Sequence, residues 1–188
     1  MKRPRAIAGA AREMSPAVDI VVNAAAWGAL PGLEDLAARA VEQSALIAGA
    51  KLAKDCELCI VFCDDAEIRG LNAQWRGQDK PTNVLSFPTP GALATKPLLG
   101  DIVIAFETVA REAREQDKSL ADHASHMIIH GFLHLIGYDH ETPAEAEAME
   151  ALERRVAETL GIIDPYEGTR PIDGAGGTGL TKSHVGEN

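Results

Sequence analysis

Apolar and polar positions change period several times along the chain, and each change marks an element. Ala17 to Asn23 (AVDIVVN) is short, rich in β-branched residues and follows Pro16, which predicts a strand. Leu33, Leu36, Ala37, Ala40 and Val41 then recur at i, i+3, i+4, i+7 and i+8 behind Pro31-Gly32, the stripe of an amphipathic helix. Leu58 to Phe62 (LCIVF) reads as a buried strand, and Asp64 with Glu67 reads as a capping box that opens a helix reaching about Trp75. Val84 to Phe87, stopped by Pro88, is predicted as an edge strand, and Asp101 to Phe106 (DIVIAF) as another strand starting straight after Gly100. Glu107 to about Gln116 predicts a helix, and Ser119 with Asp122 caps a longer one running to Ile136 before Gly137. Thr142-Pro143-Ala144-Glu145 opens the last helix, which Gly161 stops.

A chain of 188 residues, 46% hydrophobic and 24% charged, has apolar material for one core, so a single soluble domain is expected. Lys and Arg number 18 and Asp and Glu 28, a formal net charge of −10. That is the opposite of a general nucleic-acid coat or membrane-surface binder, so any contact with a polyanion must be local. Three cysteines without a secretory pattern argue against a disulfide partner and for a reducing, cytoplasmic setting. No apolar run approaches the roughly 18 to 20 residues that span a bilayer, so no membrane role is expected. The basic start, 1–16, and the Gly-rich end, 167–188, are expected to be disordered extensions of a domain at 17–166.

Five of the six histidines fall between Asp122 and His140. His126, His130 and His134 repeat every four residues and so share one helix face, yet positions eight apart are separated by about 12 Å along the axis, whereas zinc–nitrogen bonds are only ~2 Å. At most two of them can share an ion. Gly137 breaks the helix and lets His140 return beside its C-terminal end, which selects His130, His134 and His140 as ligands of one ion. Three neutral imidazoles make the open pattern of catalytic zinc; nickel, copper or cobalt would also suit them. His126 is assigned to packing or to a hydrogen bond behind the ligands. In H-E-x-x-H metalloproteases the residue after the first histidine is a glutamate base, and here it is Gly131, which counts against peptide hydrolysis.

The run His130-Gly131-Phe132-Leu133-His134-Leu135-Ile136-Gly137-Tyr138-Asp139-His140 resembles the signature of the YbeY-type endoribonucleases, a bacterial rRNA-maturation family. Arg76 to Pro88 resembles a second block of that family, Gly100-Asp101-Ile102 a third, and Asp164-Pro165-Tyr166 the usual end of its domain. The resemblance implies a compact α+β domain with a small mixed sheet of about four strands, similar in layout to zinc peptidases but acting on RNA. It implies metal binding by His130, His134 and His140, an essential arginine at Arg76, and trimming of small-subunit ribosomal RNA at its 3′ end together with ribosome quality control. The expected partners are single-stranded RNA, the small ribosomal subunit and its assembly factors. Where the family usually has Thr-Asp before Val-Leu-Ser-Phe, this chain has Thr82-Asn83, so no role needing a negative charge there carries over.

Arg76 also fits on chemistry alone, because a guanidinium offers two-point donors to phosphate and stays charged. Lys80 and Arg69 are candidates to extend a positive patch, and Asp101 and Asp139 to orient ligand imidazoles. Cys56, Cys59 and Cys63 are expected to be buried, inert thiols rather than a metal cluster. The leading expectation is thus a metal-dependent endoribonuclease. A metallohydrolase of another substrate and a non-catalytic ribosome-assembly factor braced by metal are the alternatives.

Overall fold

The structure, a computed structural model, describes residues 15–167, and the expected extensions at 1–16 and 167–188 lie almost wholly outside the described residues. The strands are β1 (Ala17–Val22), β2 (Glu57–Cys63), β3 (Val84–Pro88) and β4 (Leu98–Ala105), joined in one sheet of order β1-β2-β4-β3. β1 and β2 run parallel, as do β2 and β4, while β3 returns antiparallel along β4 as the edge that Pro88 foretells. The helices are α1 (Leu33–Ala48), α2 (Asp65–Arg76), α3 (Phe106–Glu115), α4 (Leu120–Leu135) and α5 (Pro143–Leu160). This is the expected α+β domain with a small mixed sheet.

Strand alternation divides the apolar side chains between two faces. Leu58, Ile60 and Phe62 of β2 and Ile102 and Ile104 of β4 meet Ala37, Ala40 and Val41 of α1 and Met127, Ile128 and Phe132 of α4 in the principal core. The opposite face carries a smaller cluster of Cys63, Leu85, Val103 and Ala105 with Ile68 of α2. Every residue of α4 from His123 to Leu135 is buried, so its histidines are interior groups that need partners.

The structure departs from the sequence reading at both ends of β4 and in the cap of α2. β4 begins at Leu98 and runs through Gly100, whose φ of +138° and missing side chain let β3 approach; a Cβ there would stand 2.1 Å from the Phe87 carbonyl oxygen. Phe106 opens α3 instead of closing the strand, and its ring packs edge-on against Trp27 at 5.3 Å. Asp64 does accept from the Glu67 backbone N–H at 2.8 Å, but the Glu67 carboxylate accepts from Asn23 Nδ2 at 2.9 and 3.1 Å rather than completing a capping box. At Thr142 and Glu145 the box is complete. A 3-10 turn at Ala25–Ala29 has no periodic signature; it exists to seat buried Trp27, whose Nε1–H donates to the Cys63 carbonyl at 3.0 Å.

Gly131 sets how closely α4 lies on the sheet. A Cβ at this position would stand 2.8 Å from Ile102 Cγ2 and 3.1 Å from Ser86 Oγ, and the Ser86 hydroxyl donates to the Gly131 carbonyl at 3.3 Å. The glutamate of a peptidase helix therefore has no room here. Gly131→Ala is expected to cost about 1–3 kcal/mol, a fall of roughly 2–12 °C in Tm by calorimetry, because stiff Ile102 must move. An unchanged Tm would show that the helix–sheet contact yields freely.

Candidate metal centre and adjoining cleft

His130 and His134 sit one turn apart near the end of α4, and the chain reverses through Gly137 to return His140. Ring centroids are 4.5 Å apart for His130 and His134, 5.0 Å for His134 and His140, and 5.5 Å for His130 and His140. One nitrogen from each of the three lies within 4.8 Å of the others. Asp139 fixes the returning turn, its Oδ1 accepting from the His140 backbone N–H at 2.9 Å.

Hydrogen bonds decide which nitrogens carry protons. Glu153 of α5 is fully buried, and its carboxylate accepts from His130 Nδ1–H at 2.8 Å and His126 Nε2–H at 3.1 Å. The Tyr166 hydroxyl donates to the same group. Burial works to raise the Glu153 carboxyl, but the bonds from His126 and His130 outweigh it and hold the group ionised, well below the usual carboxylate range. His134 Nδ1–H donates to the Tyr138 carbonyl at 3.0 Å. With both Nδ1 atoms protonated, the Nε2 atoms of His130 and His134 present bare lone pairs to each other across 2.9 Å. Two facing lone pairs repel unless a cation lies between them. His140 Nε2 is likewise buried with no hydrogen-bond partner among the described residues.

Burial, then the neighbouring His130 and His140, push His134 down to about 3, and burial lowers His130 against the pull of Glu153. Both are neutral near pH 7, the protonation state a metal requires. This donor set fits a single zinc-like ion.

Beside the triad lies a cleft of about 430 Å³ lined by Arg76, Lys80, Asn83, Arg111, His123 and His126, among others. His126 and the ligand-set His130 share Glu153, so one carboxylate joins cleft and triad. Arg76 ends α2, half-buried, and burial lowers its guanidinium from its ordinary value. Lys80 is exposed on the cleft, whereas Arg69 is committed to Asp79 through bonds of 2.7 and 2.9 Å and adds no net charge to a patch. Asn83 donates to Glu112 Oε2 at 3.0 Å, where an aspartate would set two carboxylates against each other.

The remaining candidates lie elsewhere. Ile102 and Ile104 face α4, so Asp101, one residue before Ile102 in β4's alternation, lies exposed on the other side of the sheet and orients no imidazole of that helix. Cys56 and Cys63 are buried and Cys59 is only half-buried, in register with Asp101; all three are free, and burial raises each thiol, Cys63 to about 12.

Sequence reading missed Glu153, Glu112 and Arg111, and saw in Tyr166 only the end of the family's domain. One signal was present: Met149, Glu153, Val156 and Ala157 fall at i, i+4, i+7 and i+8 and all are buried, so a carboxylate occupies a core position in an apolar stripe.

Residues 31–161 match the family model described as Endoribonuclease YbeY. An Endoribonuclease YbeY of Methylocella silvestris is 58% identical over 154 residues, which cover 82% of this chain and 88% of that protein. The Rhodopseudomonas palustris (strain BisA53) protein of that name is 51% identical over 156 residues, 80% of this chain and 90% of its own. The Beijerinckia indica one is 52% identical over 166 residues, 85% and 81% respectively. A solution structure of a Thermotoga maritima protein superposes with a TM-score of 0.48 at 26% identity, covering 82% of this chain and 97% of that one.

Glu153→Gln removes an acceptor that orients His130, and zinc affinity is expected to fall about 10–100-fold in competition with a chromophoric chelator. Unchanged affinity would show that the carboxylate does not prepare the site.

Proposed function

The chain belongs to the Endoribonuclease YbeY family, and on that premise we propose that it is a metal-dependent endoribonuclease that cuts single-stranded RNA during ribosomal RNA processing. Its substrate is the 3′ region of small-subunit ribosomal RNA, and it serves ribosome quality control in the cytoplasm alongside the small subunit and its assembly factors. The ion is Zn2+, one per chain, held by His130, His134 and His140. The observation that carries this reading is the pair of bare Nε2 atoms held face to face at 2.9 Å. No helix among the described residues is long and apolar enough to cross a membrane.

When bound, the ion supplies Lewis acidity, drawing charge from a phosphoryl oxygen or easing loss of a proton from water. The chain's own groups do the rest. Glu153 and the Tyr138 carbonyl keep His130 and His134 in the ligating tautomer. Arg76, on the wall of the adjoining cleft, grips the phosphate and offsets the charge that builds on it during cleavage. Gly131 leaves the helix without the carboxylate base of a peptidase, which separates this site from peptide hydrolysis.

Arg76→Ala is expected to lower the single-turnover cleavage rate by a factor on the order of 10² to 10³, the usual loss for one preorganised donor. Arg76→Lys should recover part of it, since an ammonium keeps charge but loses the two-point grip. The assay uses a single-stranded RNA spanning the 3′ end of small-subunit ribosomal RNA at matched metal occupancy. Equal rates for wild type and Arg76→Ala would take Arg76 out of the reaction and favour the non-catalytic assembly factor.

A further inference from the structure

The cleft contains a second prepared group that the metal centre does not use. His123, near the start of α4, has a side chain only 3% exposed, and its Nε2–H donates to Glu112 Oε2 at 2.9 Å. The same oxygen accepts from Asn83 Nδ2 at 3.0 Å, and Asn83 Oδ1 accepts from the Val84 backbone N–H at 2.7 Å. Burial works to raise the Glu112 carboxyl, but hydrogen bonds from His123 and Asn83 hold it low and ionised. An ionised carboxylate can only accept, so His123 Nε2 carries a proton, and in the neutral ring Nδ1 is then a bare acceptor. That Nδ1 is buried and has no hydrogen-bond partner among the described residues, and the residue lines the cleft. A buried acceptor left unmatched calls for an explanation.

His126 repeats the arrangement, with Nε2–H on Glu153 and Nδ1 buried and unmatched. The cleft thus combines buried acceptors with exposed Lys80, with half-buried Arg76 and with exposed Arg111, whose guanidinium also stands 3.9 Å from Glu115 and donates to the Thr108 hydroxyl at 3.3 Å. Its complement carries negative charge toward solvent and a hydrogen-bond donor inward. A nucleotide within an RNA strand has that character: phosphates on the outside, and on its sugar a single donor, the 2′-hydroxyl. DNA lacks that donor. The volume of about 430 Å³ falls within the roughly 300–1,000 Å³ of small-ligand sites.

We propose that this cleft is a ribonucleotide subsite beside the cleaved bond, and that His123 Nδ1, held by Glu112 and Asn83, accepts a hydrogen bond from one ribose 2′-hydroxyl and thereby selects RNA over DNA. The proposal rests on the endoribonuclease reading for its ligand, but not on cleavage for its test. Zinc-loaded protein is mixed with labelled single-stranded oligonucleotides and followed by stopped-flow anisotropy before any cleavage. The series comprises all-RNA, all-DNA, and RNA with one 2′-deoxy, 2′-fluoro or 2′-amino sugar moved along the strand.

One position is expected to lose on the order of tenfold in Kd with 2′-deoxy, the worth of one hydrogen bond in a dry site. At that position 2′-fluoro, which offers no donor, should cost as much, and 2′-amino, which keeps one, should cost little. In His123→Ala the 2′-deoxy penalty should shrink below about twofold, while His123→Asn, which retains an acceptor oxygen, should keep part of it. A flat scan on the wild-type protein overturns the proposal whether or not the variants fold. So does a full penalty in His123→Ala, or a penalty that follows the base and not the 2′ substituent. A clear sugar dependence in a protein that cleaves no RNA would instead sink the endoribonuclease reading and leave this subsite standing. Cleavage with a flat scan would do the reverse.

Discussion

The buried carboxylate of Glu153 is the constraint from which the functional half of the molecule follows. A charge with no solvent exposure is tolerated only when its oxygens are filled by donors, because an uncompensated buried ion costs several kcal/mol. Here the donors come from three places: His126 and His130 on α4 and Tyr166 beyond α5. That requirement fixes how α5 seats on α4 and draws the Asp164–Tyr166 segment onto the domain, where Arg154 also stacks over the Tyr166 ring at 4.7 Å. Removing one donor would leave the charge short of a partner inside the core.

Carboxylates also give one row of histidines different tasks. Glu153 takes the Nδ1 proton of His130 and the Nε2 proton of His126, while Glu112 takes the Nε2 proton of His123. The Tyr138 carbonyl acts on His134 as Glu153 does on His130. With neutral rings, the result is two bare Nε2 atoms at the metal centre and two bare Nδ1 atoms on cleft-lining residues, from side chains that are chemically identical in the sequence. Hydrogen bonding behind each ring, and not the ring's place in a motif, decides what it can bind.

Much of this was legible from the chain. Periodicity and caps located every strand and α-helix among the described residues, and the H-x3-H spacing before Gly137 with a third histidine after it picked out the three rings that the fold brings together. What escaped the sequence depends on packing between distant elements. Glu153 lies 23 residues from His130 and shows itself only as a polar residue in an apolar stripe. Glu67 had the spacing of a capping box, yet Asn23 from the end of β1 captured it. Gly100 had the look of a strand boundary because its real reason, the Phe87 carbonyl standing where a Cβ would be, belongs to the neighbouring strand. Asp101 was a plausible partner for an imidazole until strand alternation placed it on the far face.

The central claim, that hydrogen-bonded partners preset the imidazole tautomers before any ion arrives, is tested most directly by long-range nitrogen–proton correlation NMR of the side-chain histidines in chelator-treated protein near neutral pH. His130 and His134 should each show a protonated Nδ1 and a bare Nε2, and His123 and His126 the opposite tautomer. A protonated Nε2 on His130 or His134, or rapid exchange between their two tautomers, would contradict the account.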